Sequence, residues 1–516
     1  MRGRLFNLLF CLFAITLSLE SAQGANLAQQ RQYYDQAKSA LAKGDSGPYQ
    51  RYAAVLKDYP LEPYLAYDEL TARLKSASNS EIEKFLAEHG DLPQASWMKL
   101  RWLRWLAERG EWKTFLNYYD PALNFTELDC LYGQYLLANG PAAAANAATE
   151  KLWLVGKSQP QACDVLFDRW AASGQLTESR RWQRAKLATE ARNYGLASHL
   201  VKNLASHAKQ GALMVEVAQN PALLSQTARF SPADPAMADV VGLGLRRLAR
   251  QDPEKALTLL ELYAPRQAFS KEEKVAIARE VGLSFAKRFD SRALAVMSQY
   301  DPELRDNNVS EWRARLLLRL GRWDEAYQLT RQLPASLADS NRWRYWQARS
   351  LQLAQPQSQQ PLTLYQPVAR ERDFYGFLSA DRIQAPYQLK NQPLALDAKT
   401  IQKVRNTAGI RRALEFHARG QIVDGRREWY HVSRLFSRDE MVAQARMAYD
   451  MQWYFPAIRT ISQAQYWDDL DVRFPMAYKD SLTRAAKSRS LHSSWVFAIT
   501  RQESAFMNDA RSGVGA

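Results

Sequence analysis

Between residues 25 and 385 apolar positions recur every three or four residues, and each amphipathic stretch runs to a glycine before a polar or charged restart. The pattern is plain in W-L-A-E-R-G-E-W-K-T-F-L around Gly110 and Y-L-L-A-N-G-P-A-A-A-A around Gly140. It returns in W-A-A-S-G-Q-L-T-E-S around Gly174 and L-L-L-R-L-G-R-W-D-E-A-Y around Gly321. Each stretch reads as a pair of antiparallel helices whose first member ends in a glycine C-cap. No run of alternating β-branched residues competes, so the expectation is an all-α chain. A helical hairpin buries its apolar face only against its neighbours, which predicts a curved superhelical solenoid over 25–385. Trp102, Trp105, Trp112, Trp343 and Trp346 recur at helical spacing beside leucines, which favours packing between helices over a platform for sugars.

After Pro386 the chain turns polar through K-N-Q-P-L-A-L-D, a linker, and helical periodicity resumes from about Ala398 to Trp467. The last stretch is S-S-W-V-F-A-I-T-R-Q-E-S-A-F-M-N-D-A-R-S-G-V-G-A, Ser493 to Ala516. Trp495, Val496, Ala498, Ile499 and Phe506 have helical spacing, with Ser493 or Ser494 as N-cap. Glu503 follows Ile499 by four positions and Val496 by seven, so it is expected on the apolar face. A carboxylate held against apolar side chains has its charged form disfavoured, which suits a general acid. The competing reading is a glutamate at a helix end that reaches out to water.

Composition narrows the class. The 516 residues are 47% hydrophobic and 24% charged, which fits an ordered chain. Arg2 and Arg4, the apolar run Leu5 to Leu19 and the small-residue site Ala22-Gln23-Gly24 read as a secretory signal over 1–24. That run is too short to span a membrane, so an exported protein without stable membrane insertion is expected. The formal charge is +15; removing 1–24 deletes two Arg and one Glu and leaves +14. Such a charge suits an anionic partner. Export and the lack of zinc-finger or aromatic RNA-binding motifs argue against nucleic acid.

Two cysteines, Cys130 and Cys163, remain after the leader. In an oxidising compartment they are candidates for a disulfide, the alternative being two buried thiols. No histidine pair has metal-ligand spacing, and Glu428-Trp429-Tyr430-His431 is a single E-x-x-H unit where a di-iron bundle needs two. Gly242-Leu243-Gly244 begins a dinucleotide fingerprint without completing it. No metal and no cofactor are expected, and no serine sits in a nucleophile elbow.

R-Q-E-S-A-F at 501–506 followed by A-R-S-x-V-G-A at 510–516 resembles the first catalytic motif of the soluble lytic murein transglycosylases. These are periplasmic enzymes that cleave the glycan strands of peptidoglycan. By that resemblance Glu503 is the single acid/base, Ser504 completes a Glu-Ser signature, and Ser512 orients the catalytic carboxylate. Met507-Asn508 and Gly513 depart from the commonest residues of the motif. R-W-R-Y-W-Q-A-R at 342–349 and R-D-F-Y-G-F-L-S-A-D-R at 372–382 resemble stretches that close the family's helical ring, with Arg349 and Arg382 expected to cap carbonyls or pair with acids. D-V-R-F-P-M-A-Y-K-D-S-L at 471–482 resembles the start of its lysozyme-like domain.

The resemblance implies a signal peptide over 1–24, a U-shaped α-superhelical domain over 25–385, a helical linker domain over 386–472, and the start of a lysozyme-like domain over 473–516. The family continues with Gly-Leu-Met-Gln and Ala-Tyr-Asn segments, so most of that last domain is expected to lie beyond Ala516. The implied reaction is non-hydrolytic cleavage of the β-1,4 bond between N-acetylmuramic acid and N-acetylglucosamine, with peptidoglycan strands and other cell-wall enzymes as partners. The alternative is a helical scaffold that binds peptidoglycan or cell-wall enzymes without catalysis.

Overall fold

The structure is a computed structural model that describes residues 26–231 and 234–515; the leader read at 1–24 lies outside the described residues. Among the described residues every regular element is helical, and the chain is all-α. Packing divides it into two compact units, one formed by residues up to Leu123 together with Lys390–Ala516, the other by Asn124–Leu389.

The Asn124–Leu389 unit is a succession of helical hairpins around a continuous apolar core from Cys130 to Leu316. Its first turns show two uses of glycine. Gly174 takes φ +76°, the left-handed conformation that ends a helix without a Cβ clash, as do Gly321 at +69° and, in the other unit, Gly110 at +72°. Gly140 departs from that expectation, with φ −100° and ψ 173°. There a Cβ would lie 2.8 Å from Leu136 Cδ2 and 3.0 Å from the Leu136 carbonyl oxygen, so close approach rather than handedness requires the glycine.

Helices Thr126–Asn139 and Ala162–Ala172 carry Cys130 and Cys163, both fully buried and joined by a disulfide. Helix Pro235–Gln251 holds Gly242 and Gly244, whose hypothetical Cβ atoms would fall 2.1 Å from Glu273 Oε1 and 2.4 Å from Val217 Cγ1. The incomplete dinucleotide fingerprint is therefore a packing seam. Trp343 is buried, while Trp346 is half-buried. Arg349 donates to Gln352 Oε1 at 2.7 Å, an amide shared with the Tyr365 hydroxyl, in place of the expected carbonyl or acid.

In the other unit, helices Ser46–Ala54, Glu62–Ala72, Asn79–His89 and Ala95–Glu108 bury Tyr34, Tyr59, Leu65 and Trp102. They meet helices Ala408–Ala418 and Ile422–Ser433 through buried polar contacts. Glu415 accepts from Arg31 Nε at 2.7 Å and from the Tyr59 hydroxyl at 2.7 Å. Arg412, 3% exposed, donates to Glu428 at 2.6 Å and to Asp91 at 2.8 Å, and Tyr64 donates to Glu428 at 2.7 Å. The E-x-x-H glutamate is thus one half of a buried ion pair. Helices from Ala398 to Arg473 enclose a second core around Val404, Trp429, Val442 and Ile461.

Candidate active site

The segment expected to carry the chemistry is a helix, Ser493–Ser504, followed by a tight reversal. His492 occupies the N-cap position, and no side chain caps the first turn; Ser493 is already helical, which corrects the expected serine cap. Phe497 is the buried residue of this helix and packs with Phe506, Ile458 and Ala477.

The chain turns back at Ala505 and Phe506, with φ +47° and +61°. Two successive non-glycine residues in the left-handed region are strained. Burial of Phe506 at 4% exposure opposes that strain. Beyond the reversal, Asp509 accepts two hydrogen bonds of 2.7 Å from Arg426, on helix Ile422–Ser433. The Arg426 guanidinium holds the Asp509 carboxyl below its ordinary range.

One turn on from Phe497, Arg501 donates to the Arg473 carbonyl oxygen at 2.6 Å and lies 4.6 Å from the centre of the Phe474 ring. Burial lowers the Arg501 pKa. Arg501, Phe506 and Asp509 therefore anchor the end of the helix through three separate contacts and fix where Glu503 projects.

Glu503 itself is exposed, which overturns the expected burial. The geometric part of the reading stands, because Trp495, Ile499 and Glu503 do share a stripe at four-residue intervals. That stripe is not the packing face, however: Trp495 is 67% and Ile499 53% exposed. The core is met through Phe497, a position about 120° round the helix from Glu503. Apolar identity alone did not reveal which of the two faces finds a partner. The Ser504 hydroxyl donates to the Thr500 carbonyl at 3.0 Å, back along the helix, rather than to Glu503. Ser512 lies in the final turn, where the Gly515 amide donates to the Ser512 carbonyl oxygen at 3.0 Å.

Of the residues that seat this segment, Arg426 and Asp509 carried no signal of their own in the sequence, whereas Arg473 and Phe474 lie in the stretch 471–482 that resembles the start of the lysozyme-like domain. Arg426 and Asp509 are 83 positions apart, with no local signal linking them. Among the described residues no cluster of His, Cys, Asp and Glu could hold a metal ion, and no helix is long and apolar enough to cross a membrane.

The model of the soluble lytic murein transglycosylase L domain matches residues 403–470, the helices on which Asp509 and Phe506 rest. A Cucumovirus coat protein model matches 140–218, a helical stretch within the longer alignments described next. The chain is 29% identical to the soluble lytic murein transglycosylase of Escherichia coli (strain K12) over 500 residues, 96% of this chain and 77% of that protein. The Salmonella typhimurium enzyme of the same name is 28% identical over 499 residues, again 96% and 77%.

Among solved structures, the lytic transglycosylase Slt of Pseudomonas aeruginosa, an inactive mutant E503Q, is 70% identical with a TM-score of 0.90, covering 94% of this chain and 79% of that one. The 70 kDa soluble lytic transglycosylase of Escherichia coli superposes with a TM-score of 0.77 at 27% identity, covering 95% and 79%. A complex of the 70-kDa enzyme with bulgecin A is a further neighbour, with a TM-score of 0.76. An all-α chain that aligns over nearly its whole length with these enzymes is a lyase of the murein-cleaving class. It belongs to the soluble lytic murein transglycosylase family.

Proposed function

We propose that this protein acts in the periplasm and cleaves the β-1,4 bond between N-acetylmuramic acid and N-acetylglucosamine, with Glu503 as its acid/base. The observation that carries the assignment is the placement of Glu503: an exposed carboxylate at the end of a helix held by Arg501, Phe506 and the Arg426–Asp509 pair. Positioning of this kind is what makes a single proton-transfer group effective. Trp495 and Ile499 continue the exposed stripe beyond it. A saccharide laid along that stripe would cover the carboxylate and bring a glycosidic oxygen within its reach.

In the first step Glu503 gives its proton to the glycosidic oxygen as the C1–O bond breaks. In the second the Glu503 carboxylate takes the proton from the muramic 6-hydroxyl as that oxygen bonds to C1, leaving a 1,6-anhydro ring and a protonated glutamic acid. The nucleophile belongs to the substrate, so the second carboxylate of an ordinary glycosidase is not required. Ser512 is assigned the orienting role implied by its motif. The inactivity of a Glu→Gln mutant in the Pseudomonas aeruginosa neighbour supports the reading, and this chain likewise carries glutamate at 503.

Glu503→Gln keeps side-chain size and removes the transferable proton. Mass spectrometry of digested sacculi should show release of 1,6-anhydromuropeptides reduced by at least ~10⁴-fold, the upper end for acid–base catalysis, with sacculus binding retained. Anhydro products at an undiminished rate would refute the assignment.

A further inference from the structure

Outside the catalytic segment, the C-terminal end of helix Glu62–Ala72, the turn that follows it and helix Ala95–Glu108 enclose a cavity of about 710 Å³. That volume falls in the range of ligand pockets, about 300–1,000 Å³. Its lining combines one aromatic ring, Trp105, with four cations, Arg73, Lys75, Arg101 and Arg104, against one carboxylate, Glu108. Arg73 is already engaged by Glu69 at 2.6 Å and Glu81 at 2.8 Å. Lys75 and Arg101 are exposed and form no ion pair among the described residues. The Thr71 hydroxyl, on the same wall, is buried without a hydrogen-bond partner.

We propose that this cavity is a second, non-catalytic saccharide site that takes a peptide-substituted amino sugar, with Lys75 and Arg101 holding a peptide carboxylate and Trp105 the sugar face. The Trp105 ring is fixed in advance: the Arg109 guanidinium lies 4.5 Å from its centre and is itself held by Glu111. A ring that does not have to be ordered on binding adds affinity at small entropic cost. Guanidinium and ammonium groups pair with carboxylates by charge-assisted hydrogen bonds. A phosphate-bearing lipid would meet the same cations, but it would leave the ring unused. The choice of sugar rests on the murein reading given above, whereas the basic aromatic cavity does not. Its role would be to hold a strand by its stem peptides at a place other than Glu503.

The test is calorimetric titration of the full chain with N-acetylglucosaminyl-N-acetylmuramyl-tetrapeptide, a neutral N-acetylglucosamine tetramer, and phosphatidylglycerol vesicles. The peptide-bearing sugar should bind best. Lys75→Glu with Arg101→Glu should weaken it at least about tenfold, as should Trp105→Ala, while Lys75→Arg retains binding; tenfold corresponds to about 1.4 kcal/mol. Glu503→Gln should leave the effect of these cavity variants unchanged. Binding indifferent to the charge reversals, or preference for the neutral tetramer or the vesicles, would overturn the site. Sacculus digestion run in parallel separates the two readings. Normal digestion alongside indifferent binding defeats only the cavity, and binding that the charge reversals do weaken, with Glu503→Gln still digesting sacculi, defeats only the catalytic assignment.

Discussion

Replacing Arg412 with methionine tests whether one buried ion pair holds the first helices of the chain in place. Arg412 is 3% exposed and Glu428 not at all. Burial pushes the Glu428 carboxyl up, against the pull of Arg412 and the Tyr64 hydroxyl. Arg412→Met is close in length and apolar, so it removes the cation without opening a large cavity. It leaves a buried carboxyl with Tyr64 as its remaining partner in this network, and strips Asp91 of the same guanidinium. Removing one member of a buried pair costs about 3–5 kcal/mol.

Hydrogen exchange is the assay of choice, because the loss should fall on amides of Glu62–Ala72 and Asn79–His89 before it reaches Asn124–Leu389. A loss of about 3 kcal/mol speeds exchange from those helices by roughly 150-fold. The variant also has a definite pH response. With its counter-ion gone, the folded pKa of Glu428 rises further above the unfolded value, so the native state binds a proton that the unfolded chain does not. The deficit should be full at high pH and shrink as pH falls through the raised folded pKa. The double change Arg412→Met, Glu428→Met should recover most of the loss, since an apolar pair of similar volume leaves no buried charge unmatched, and Asp91, 38% exposed, keeps contact with water. A single-variant deficit below about 1 kcal/mol, or one spread evenly over both units, would refute the reasoning.

Two further outcomes follow. Cys130 and Cys163 are 33 positions apart, and opening a loop of that length by Cys130→Ser with Cys163→Ser should cost about 3.7 kcal/mol of unfolding free energy on the chain-entropy account; a denaturant midpoint unchanged from the oxidised protein would contradict it. Asp509→Asn should destabilise the catalytic segment by ~0.2–1 kcal/mol near neutral pH, the range for partly exposed pairs. Because the folded Asp509 pKa is depressed, that difference is full above the unfolded value of about 3.9 and disappears as pH falls through the lower folded pKa; equal melting of the two proteins at neutral pH would show that the pair does not seat the helix.

Helix-forming character was legible throughout the chain because apolar spacing and glycine stops are local properties. Gly110, Gly174 and Gly321 could be placed from one helical hairpin each. Gly140 shows the limit: its need for glycine comes from Leu136 one turn earlier, and its backbone is not left-handed. Glu503 was found through its motif and its stripe, yet its exposure was misjudged. Trp495 and Ile499 have the composition of a buried face, and only the packed structure shows that Phe497 and Phe506 do the burying. Arg426–Asp509, Arg412–Asp91 and Arg31–Glu415 left no trace in periodicity, because each joins residues 83 to 384 positions apart. Long-range polar pairing obeys charge and geometry in the folded state, and neither is a function of local sequence.

The pairing of the earliest helices with Glu415 and Glu428 has a consequence for synthesis. Arg31 leaves the ribosome 384 residues before its carboxylate partner, an interval of roughly 20–80 s at about 5–20 residues per second. Until Arg412, Glu415 and Glu428 emerge, the hydroxyls of Tyr59 and Tyr64 and the carboxylate of Asp91 lack the partners described above, whereas the core running from Cys130 to Leu316 is fully synthesised about 100 residues earlier. The order of completion is therefore inverted relative to the order of manufacture: the helices around Cys130 to Leu316 can mature first, and the helices before them must wait for residues made more than 300 positions later. Chaperone dependence and protease sensitivity of nascent chains should accordingly concentrate in the first hundred or so residues until Glu428 has emerged.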